Sequence, residues 1–311
     1  MKAMIDFDAT PIFGIPMADG SGVREGMLIE GPQGWGEFSP PPGCDHAEDV
    51  RWLTAAVEGG TVGWPDPRRG RIPIAVVLAA VDAASARRTV GASGCLTAEV
   101  TVAATPDSLA DDVERVAAVR DELGPRGRIR LNANGMWNVE DAARAIGILA
   151  EAAAGVEFVA DPCRTTAELA AVRGRVDVPI AARASCAEAV DVVILRSGPL
   201  GGVRRALRVA ERLELPCVVS SSGETSIGLA AGLALAGALP ELPYACALGT
   251  VTLLDGDLVA PGRSLRPVDG HLPVAPTPAA PVPELVRRFA VTDAERVDAW
   301  RRRLRSARAT A

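Results

Sequence analysis

From Gly94 to about Thr250 the chain repeats one unit, a short β-branched stretch followed by an alanine-rich segment with apolar residues at helical spacing. Thr97 to Val102 reads as a strand and Ser108 to Leu123 as a helix, with Leu109, Val113, Val116 and Val119 at helical intervals. Ile129 to Leu131 with Val139 to Ala152 form the next pair, and Val156 to Val159 with Ala167 to Arg173 the third. Strands at Val178 to Ala182, Val192 to Leu195, Cys217 to Ser220 and Leu248 to Thr250 continue the series. Strands that alternate with helices run parallel and are joined by right-handed crossovers. This many units favours a closed α/β barrel, with a doubly wound open sheet as the rival. In a barrel the C-terminal strand ends face the chemistry, which singles out Arg128 to Trp137, where a strand runs through Asn132 into a polar turn.

One connection is too short for the pattern. Only Ala184 to Asp191 separate two expected strands, whereas joining parallel neighbours takes roughly a dozen residues or more. A crossover helix is missing or reduced to one turn, and the barrel is expected to be irregular or open there. The flanks differ from the repeat. Residues 1 to 88 read as an α+β cap, with short strands at Met27 to Gly31 and Gly34 to Ser39, a break at Pro40 to Gly43 and a helix from Glu48. The barrel would span residues 89 to 262. Residues 263 to 311 would run through a proline-rich connector, Pro273 to Pro283, into a helix from Thr292 that returns to the cap. Thr292 and Glu295 have capping-box spacing.

Composition narrows the chemistry. Apolar residues make up 48% of the chain and the net charge is -6, so a large core is expected, and nucleic acid or an anionic membrane is not an expected partner. There is neither an apolar run long enough to span a membrane nor the build of a signal peptide at Met1 to Phe7, which gives a cytoplasmic expectation. The 6 cysteines stand singly, with only His46 and His271 as imidazole ligands, so reduced core thiols are expected rather than a zinc or iron-sulfur site. Neither histidine falls near a strand end, which removes a Ser-His-Asp triad. Lys2 is the only lysine; the other 32 basic residues are arginines, which stay protonated at any usable pH.

Several stretches resemble the o-succinylbenzoate synthases of menaquinone biosynthesis, members of the enolase superfamily, and in particular their actinobacterial branch. These are Val23-Arg-Glu-Gly26, Gly34-Trp-Gly-Glu-Phe-Ser-Pro40, Asn134-Gly-Met-Trp137, Asp161-Pro-Cys163, Gly198-Pro-Leu-Gly-Gly-Val203, Glu224-Thr-Ser226 and Pro243-Tyr-Ala-Cys246, in the family's order. The resemblance implies a modified (β/α) barrel under an α+β capping domain. It also implies a lyase that dehydrates a succinyl-hydroxycyclohexadiene carboxylate. In that reaction a barrel lysine removes a proton next to a carboxylate, and Mg2+ on three carboxylates stabilises the enediolate.

Position by position, the resemblance places other residues in these roles. The lysine pair of one strand falls on Glu99 and Thr101, and the lysine across the barrel on Arg196. The three metal carboxylates fall on Asn132, Ala160 and Arg183, and the arginine-bearing cap loop on Met17 to Gly22, which has none. Asp161 is one residue out of register, so its side chain should point to the other face of the strand. The expectation is therefore no cofactor, although the family uses Mg2+. Glu99 is expected to pair with Arg183 or Arg196, because a buried charge needs a partner. Arg183, Gly201, Gly202, Ser221, Ser222 and Gly223 are the candidates for binding an anionic small molecule, the glycines by close backbone approach and the serine loop by its N–H groups and hydroxyls. Three readings follow: a silent homologue, a metal-independent enzyme or binder built on Glu99, Arg183 and Arg196, and an active synthase with a rearranged site.

Overall fold

The computed structural model describes residues 5–310; Met1 to Met4, with the lone Lys2, lie outside it. The chain begins with an antiparallel sheet of β1 (Ile12–Pro16), β2 (Val23–Gly31) and β3 (Gly34–Phe38), followed by α1 (His46–Thr61). Asp45 caps α1, taking the Glu48 N–H, while the Glu48 side chain takes the Asp45 N–H in return. A short β4 (Arg71–Pro73) then leads into the repeat.

The repeat runs β5 (Ala75–Leu78), α2 (Ala83–Ser93), β6 (Thr97–Thr101), α3 (Leu109–Leu123), β7 (Arg128–Asn132), α4 (Val139–Ala152), β8 (Val159–Ala160), α5 (Thr166–Arg173) and β9 (Ile180–Arg183). It continues through β10 (Val192–Leu195), α6 (Ser197–Leu200), α7 (Val203–Leu213), β11 (Cys217–Val219) and α8 (Ser226–Ala238). β5 to β11 form one parallel sheet in chain order. A doubly wound sheet would reverse its strand order, and this one does not. Cys246 and Ala247 close the ring. They bridge to Ile74 and Ser220, with Ala75 N donating to Cys246 O at 2.9 Å and Ala247 N to Val219 O at 3.0 Å. The expected strand at Leu248 to Thr250 is thus displaced towards the N-terminus, and Thr250–Leu253 is a 3-10 turn.

Between β9 and β10 the crossover is a single 3-10 helix, Ala184–Ala189. The irregularity stays in the helical layer, because β9 and β10 still pair directly, Ala181 beside Val192. The C-terminal part adds β12 (His271–Pro273), paired with β4, then α9 (Pro283–Arg288) and α10 (Ala294–Arg308). Asp293 caps α10, accepting from Arg296 N at 2.9 Å, so the start expected at Thr292 lies one residue further on. α10 packs on α1 through Trp300 and Leu304, which share a core with Met27, Phe38, Trp52 and Leu53. Burying side chains of this size contributes about 1.5–3 kcal/mol each, which fastens the last helix to the first sheet.

The barrel interior has two halves. Phe158, Ala160, Ala181, Val192, Ile194 and Val218 make one side apolar. The other side, on β6 and β7, holds charges.

Candidate functional site

β6 and β7 lie side by side with Glu99 opposite Arg130 and Thr101 opposite Asn132. Two-residue periodicity puts all four on one face. One Glu99 oxygen is 3.0 Å from Arg130 Nε, and the other accepts from Asn132 Nδ2 at 3.3 Å. Arg130 is fully buried; it donates through Nη1 to Ala245 O at 2.8 Å and lies 5.1 Å over the Phe158 ring. Its Nε–H is not aimed at the carboxylate and its Nη2 has no hydrogen-bond partner, so charge attraction rather than a directed hydrogen bond holds the pair.

The expectation that Glu99 pairs with Arg183 or Arg196 is therefore corrected: its partner is Arg130. Arg130 is fully buried and stands directly opposite Glu99 on the neighbouring strand, whereas Arg183 and Arg196 lie at the strand ends. The signal was in the sequence. Arg130 is two residues before Asn132 and shares its parity, which puts it on the same inward face.

Asp161 is the second correction. β8 ends at Ala160, and Asp161 takes a left-handed backbone, φ 42°, so strand alternation no longer sets its direction. Its carboxylate lies 3.8 Å from Arg196 Nη2. Burial pushes this carboxyl above its ordinary value, Arg196 and Arg183 pull it back in part, and Glu99 adds to the rise.

Arg183, Arg196, Ser221 and Ser222 line one cleft of about 690 Å³ between cap and barrel, together with Glu48 and Arg51 of α1. Glu99, 8% exposed, and Thr101 do not line it. The candidate residues are thus divided between a buried pair inside the barrel and an open cleft beside it.

The serine loop and the glycine pair serve the fold first. Glu224 takes the Ser222 N–H at 2.7 Å and the Ser221 hydroxyl at 2.6 Å, and Ser221 Oγ takes the Gly223 N–H at 2.7 Å. The donors expected to meet a ligand are spent on an internal carboxylate. At Gly202, φ 110°, a Cβ would fall 2.2 Å from Glu58 Oε2. The close approach there is by Glu58 of α1, which accepts from Val203 N at 2.5 Å and Arg204 N at 3.2 Å and so caps α7. Gly201 borders Arg51 and Arg205 instead.

A matching contact went unread in the sequence. Glu37 of β3 accepts from Thr225 N at 3.2 Å, Thr225 Oγ1 at 2.5 Å and Gly228 N at 3.1 Å at the start of α8, and from Ser39 Oγ at 2.6 Å. Burial pushes its carboxyl up to about 7 against the pull of the Ser39 and Thr225 hydroxyls. Two cap glutamates thus sit on the positive ends of two barrel helices, docking the layers. Neither histidine lines the cleft: His46 is against Thr310 and His271 against the Asp269 carbonyl.

Two families match the chain: Enolase C-terminal domain-like over residues 81–280 and Enolase N-terminal domain-like over residues 12–60. An o-succinylbenzoate synthase of Thermobifida fusca is 48% identical over 96% of this chain and 95% of its own length. One from Mycobacterium tuberculosis is 44% identical over 83% of this chain and 81% of its own. Among solved structures, muconate lactonizing enzyme from Pseudomonas fluorescens superposes with TM-score 0.76 at 19% identity, covering 91% of this chain and 98% of its own. No helix among the described residues is long and apolar enough to cross a membrane.

These relatives overturn the expectation of no cofactor. The chain is 48% identical to an o-succinylbenzoate synthase, a member of the family for which the resemblance implied Mg2+. The side chains at the strand ends are nonetheless a poor fit for it. Mg2+ asks for six oxygen ligands in octahedral array, one or two of them carboxylates. Asn132 Oδ1 already accepts from Asn134 N at 3.0 Å, Ala160 offers no donor, and Arg183 brings a positive charge. Among the described residues no three His, Cys, Asp or Glu side chains converge to hold a metal.

Proposed function

The chain belongs to the o-succinylbenzoate synthase family of the enolase superfamily, and from that membership and the side chains at its barrel mouth we propose that it keeps the family fold while lacking the family's dehydration. Its lysine and metal-ligand positions are replaced. The observation that carries this reading is the Glu99–Arg130 pair. Where the reaction needs a neutral amine to take a proton from carbon, a carboxylate is held against a buried guanidinium at 3.0 Å. Arg196 keeps the positive charge of the lysine across the ring, whose role in the family is to stabilise charge, but it cannot supply the missing base, since guanidinium does not lose its proton in the usable range. With the purified protein, Mg2+ and the succinyl-hydroxycyclohexadiene carboxylate, the absorbance change of dehydration is expected to run at the uncatalysed rate. Turnover above that rate would reject the reading.

A second reading, capture of an anionic small molecule, is favoured by Arg183. Its guanidinium reaches only neutral oxygens, Ser185 Oγ at 3.2 Å and Arg164 O at 3.4 Å, and faces the cleft without a carboxylate partner. Glu99 takes no part in this reading as a contact, because it lies outside the cleft lining.

A further inference from the structure

Opposite the strand ends that carry the site, the barrel has a second mouth, formed by the residues that precede each strand. Its charges are sorted. A groove of about 910 Å³ at the starts of β7 and β8 is lined by Arg120, Arg126 and Arg128. Arg120 donates to the Ala153, Gly124 and Gly127 carbonyls at 2.6, 2.9 and 2.9 Å. Arg126 and Arg128 are exposed and have no ion pair or side-chain hydrogen bond among the described residues. Burial and the neighbouring Arg128 push the Arg120 guanidinium below its ordinary value, so like charges stand close together there. The two carboxylates of the groove do not cancel them. Asp121 is paired with Arg87 at 2.8 Å, and Glu157 is half-buried, its carboxyl pushed up by burial against the pull of Arg130 and Arg128.

Across the ring the sign reverses. A groove of about 510 Å³ at the starts of β11 and of the closing segment is lined by Glu211, Glu214 and Glu241, all exposed and none in an ion pair among the described residues. No basic side chain lines it. Arg69, which reaches the Pro240 carbonyl beside it at 3.0 Å, is committed to that oxygen and to the Ala236 and Leu239 carbonyls at 2.7 and 2.8 Å. Between the two grooves, on the side of β5 and β6, stand Leu96 and Val268, 72% and 64% exposed. Leu96 adjoins the basic groove, its carbonyl accepting from Arg128 N at 2.9 Å, and the turn after Val268 meets the residue before Leu96, where a Cβ at Gly270 would fall 3.1 Å from Cys95 Cα. The order round this mouth is therefore basic, apolar, acidic, along β7, β6, β5 and the closing segment.

A surface with that order is complementary to its own copy. A two-fold axis through the apolar middle lays middle on middle and brings each basic groove over the acidic groove of the other chain. An apolar centre with a charged rim is also the usual anatomy of a protein interface. We infer that a second copy of this chain docks here, barrel end to barrel end, with Leu96 and Val268 at the axis and Arg126 and Arg128 of each copy facing Glu214 and Glu241 of the other. A polyanion such as nucleic acid would meet the acidic groove as well as the basic one, and the net charge of -6 opposes it. The inference concerns the face turned away from the cleft and does not depend on whether the protein dehydrates anything.

The test is analytical ultracentrifugation of the whole protein and three variants. The wild type is expected to sediment as a dimer at about 10 mM salt and to shift towards the monomer at about 1 M, because the screening length falls from about 30 Å to about 3 Å. Leu96→Asp puts a charge at the axis and is expected to weaken the dimer at least about tenfold. The reversals Arg128→Glu and Glu241→Arg should do the same, since each sets like charges face to face twice in a two-fold interface. Mixing the two reversed proteins restores the dimer, because each chain then carries the charge that the other lacks. All three positions are exposed, and unchanged melting curves check that the fold is kept. A wild type that stays monomeric at about 100 μM in low salt overturns the inference. A dimer indifferent to salt and to all three substitutions is joined elsewhere and overturns it as well. Failure of the mixed reversals to associate overturns the two-fold pairing of the grooves.

Discussion

Replacing Glu99 by alanine isolates the charge that the barrel interior was built to balance. Arg130 would keep its hydrogen bond to Ala245 O and its place over Phe158, but it would lose its counter-ion at 0% exposure. Removing one partner of a buried ion pair costs about 3–5 kcal/mol, most of it the unpaired charge left behind. In a chain of this size that lowers the melting temperature by on the order of 10 °C. Arg130→Met should cost less, because the Glu99 carboxyl left behind can take up a proton. The paired change Glu99→Leu with Arg130→Met should lie within about 1.5 kcal/mol of wild type or above it, since an apolar pair escapes the desolvation of both ions. Urea denaturation of the wild type, Glu99→Leu, Arg130→Met and the paired variant, followed by circular dichroism, closes the cycle and gives the coupling directly. If Glu99→Ala costs less than about 1 kcal/mol and the double variant shows no recovery, the pair is not what holds this face of the barrel.

Other consequences are tested more briefly. Glu37 is held near 7 in the fold against an ordinary 4.5, so between these values the unfolded chain loses a proton that the folded chain keeps. Stability should therefore fall by up to about 3 kcal/mol as pH rises from about 4.5 to about 7 and level off above, and Glu37→Gln should flatten that slope in pH-dependent urea titrations; an unchanged slope rejects the assignment. Glu58→Ala removes the cap of α7 and is expected to cost about 1–2 kcal/mol in chemical denaturation, with Glu58→Gln recovering part of it. Asp112→Ala strands the buried Arg115, 2.6 Å from its carboxylate, and should cost about 3–5 kcal/mol by the same measurement.

Much of the fold was legible because hydrophobic periodicity is a local property. The helix at Val139 to Ala152 and the strand at Val192 to Leu195 coincide with the structure, and the short β9–β10 connection followed from residue count alone. The closing segment was misplaced for a physical reason. Cys246 and Ala247 make only isolated bridges to Ile74 and Ser220, the residues flanking β5 and β11, and a pairing this short leaves no run of β-branched residues to read. The docking of the cap was illegible for a different reason. Glu37 and Glu58 look like ordinary carboxylates in a strand and a helix, and their purpose appears only when α8 and α7 arrive from sequence positions far away. The serine loop is deceptive in the same way, since the carboxylate that its Ser222 N–H and Ser221 hydroxyl hold is its own Glu224.

The site was legible in residue identity and misread in connectivity, and that difference decides how its variants are interpreted. The sequence places the Glu99 carboxylate on an inward face, in need of a cation, and the family's roles point to Arg183 and Arg196 for it. Strand register supplies a nearer one, since Arg130 stands directly opposite in the β6–β7 ladder. Any substitution at Glu99 therefore perturbs two things at once: a carboxylate inside the barrel and the balance of a buried guanidinium. Loss of a measured activity in Glu99→Ala would not by itself make Glu99 an acid or base, because the same change disturbs the β7 strand that positions Asn132. The separating variant is Arg130→Met in the Glu99→Leu background, which removes the carboxylate without leaving a charge behind. An activity that is lost in Glu99→Ala and returns in that pair depends on strand order, whereas one that stays lost depends on the carboxylate.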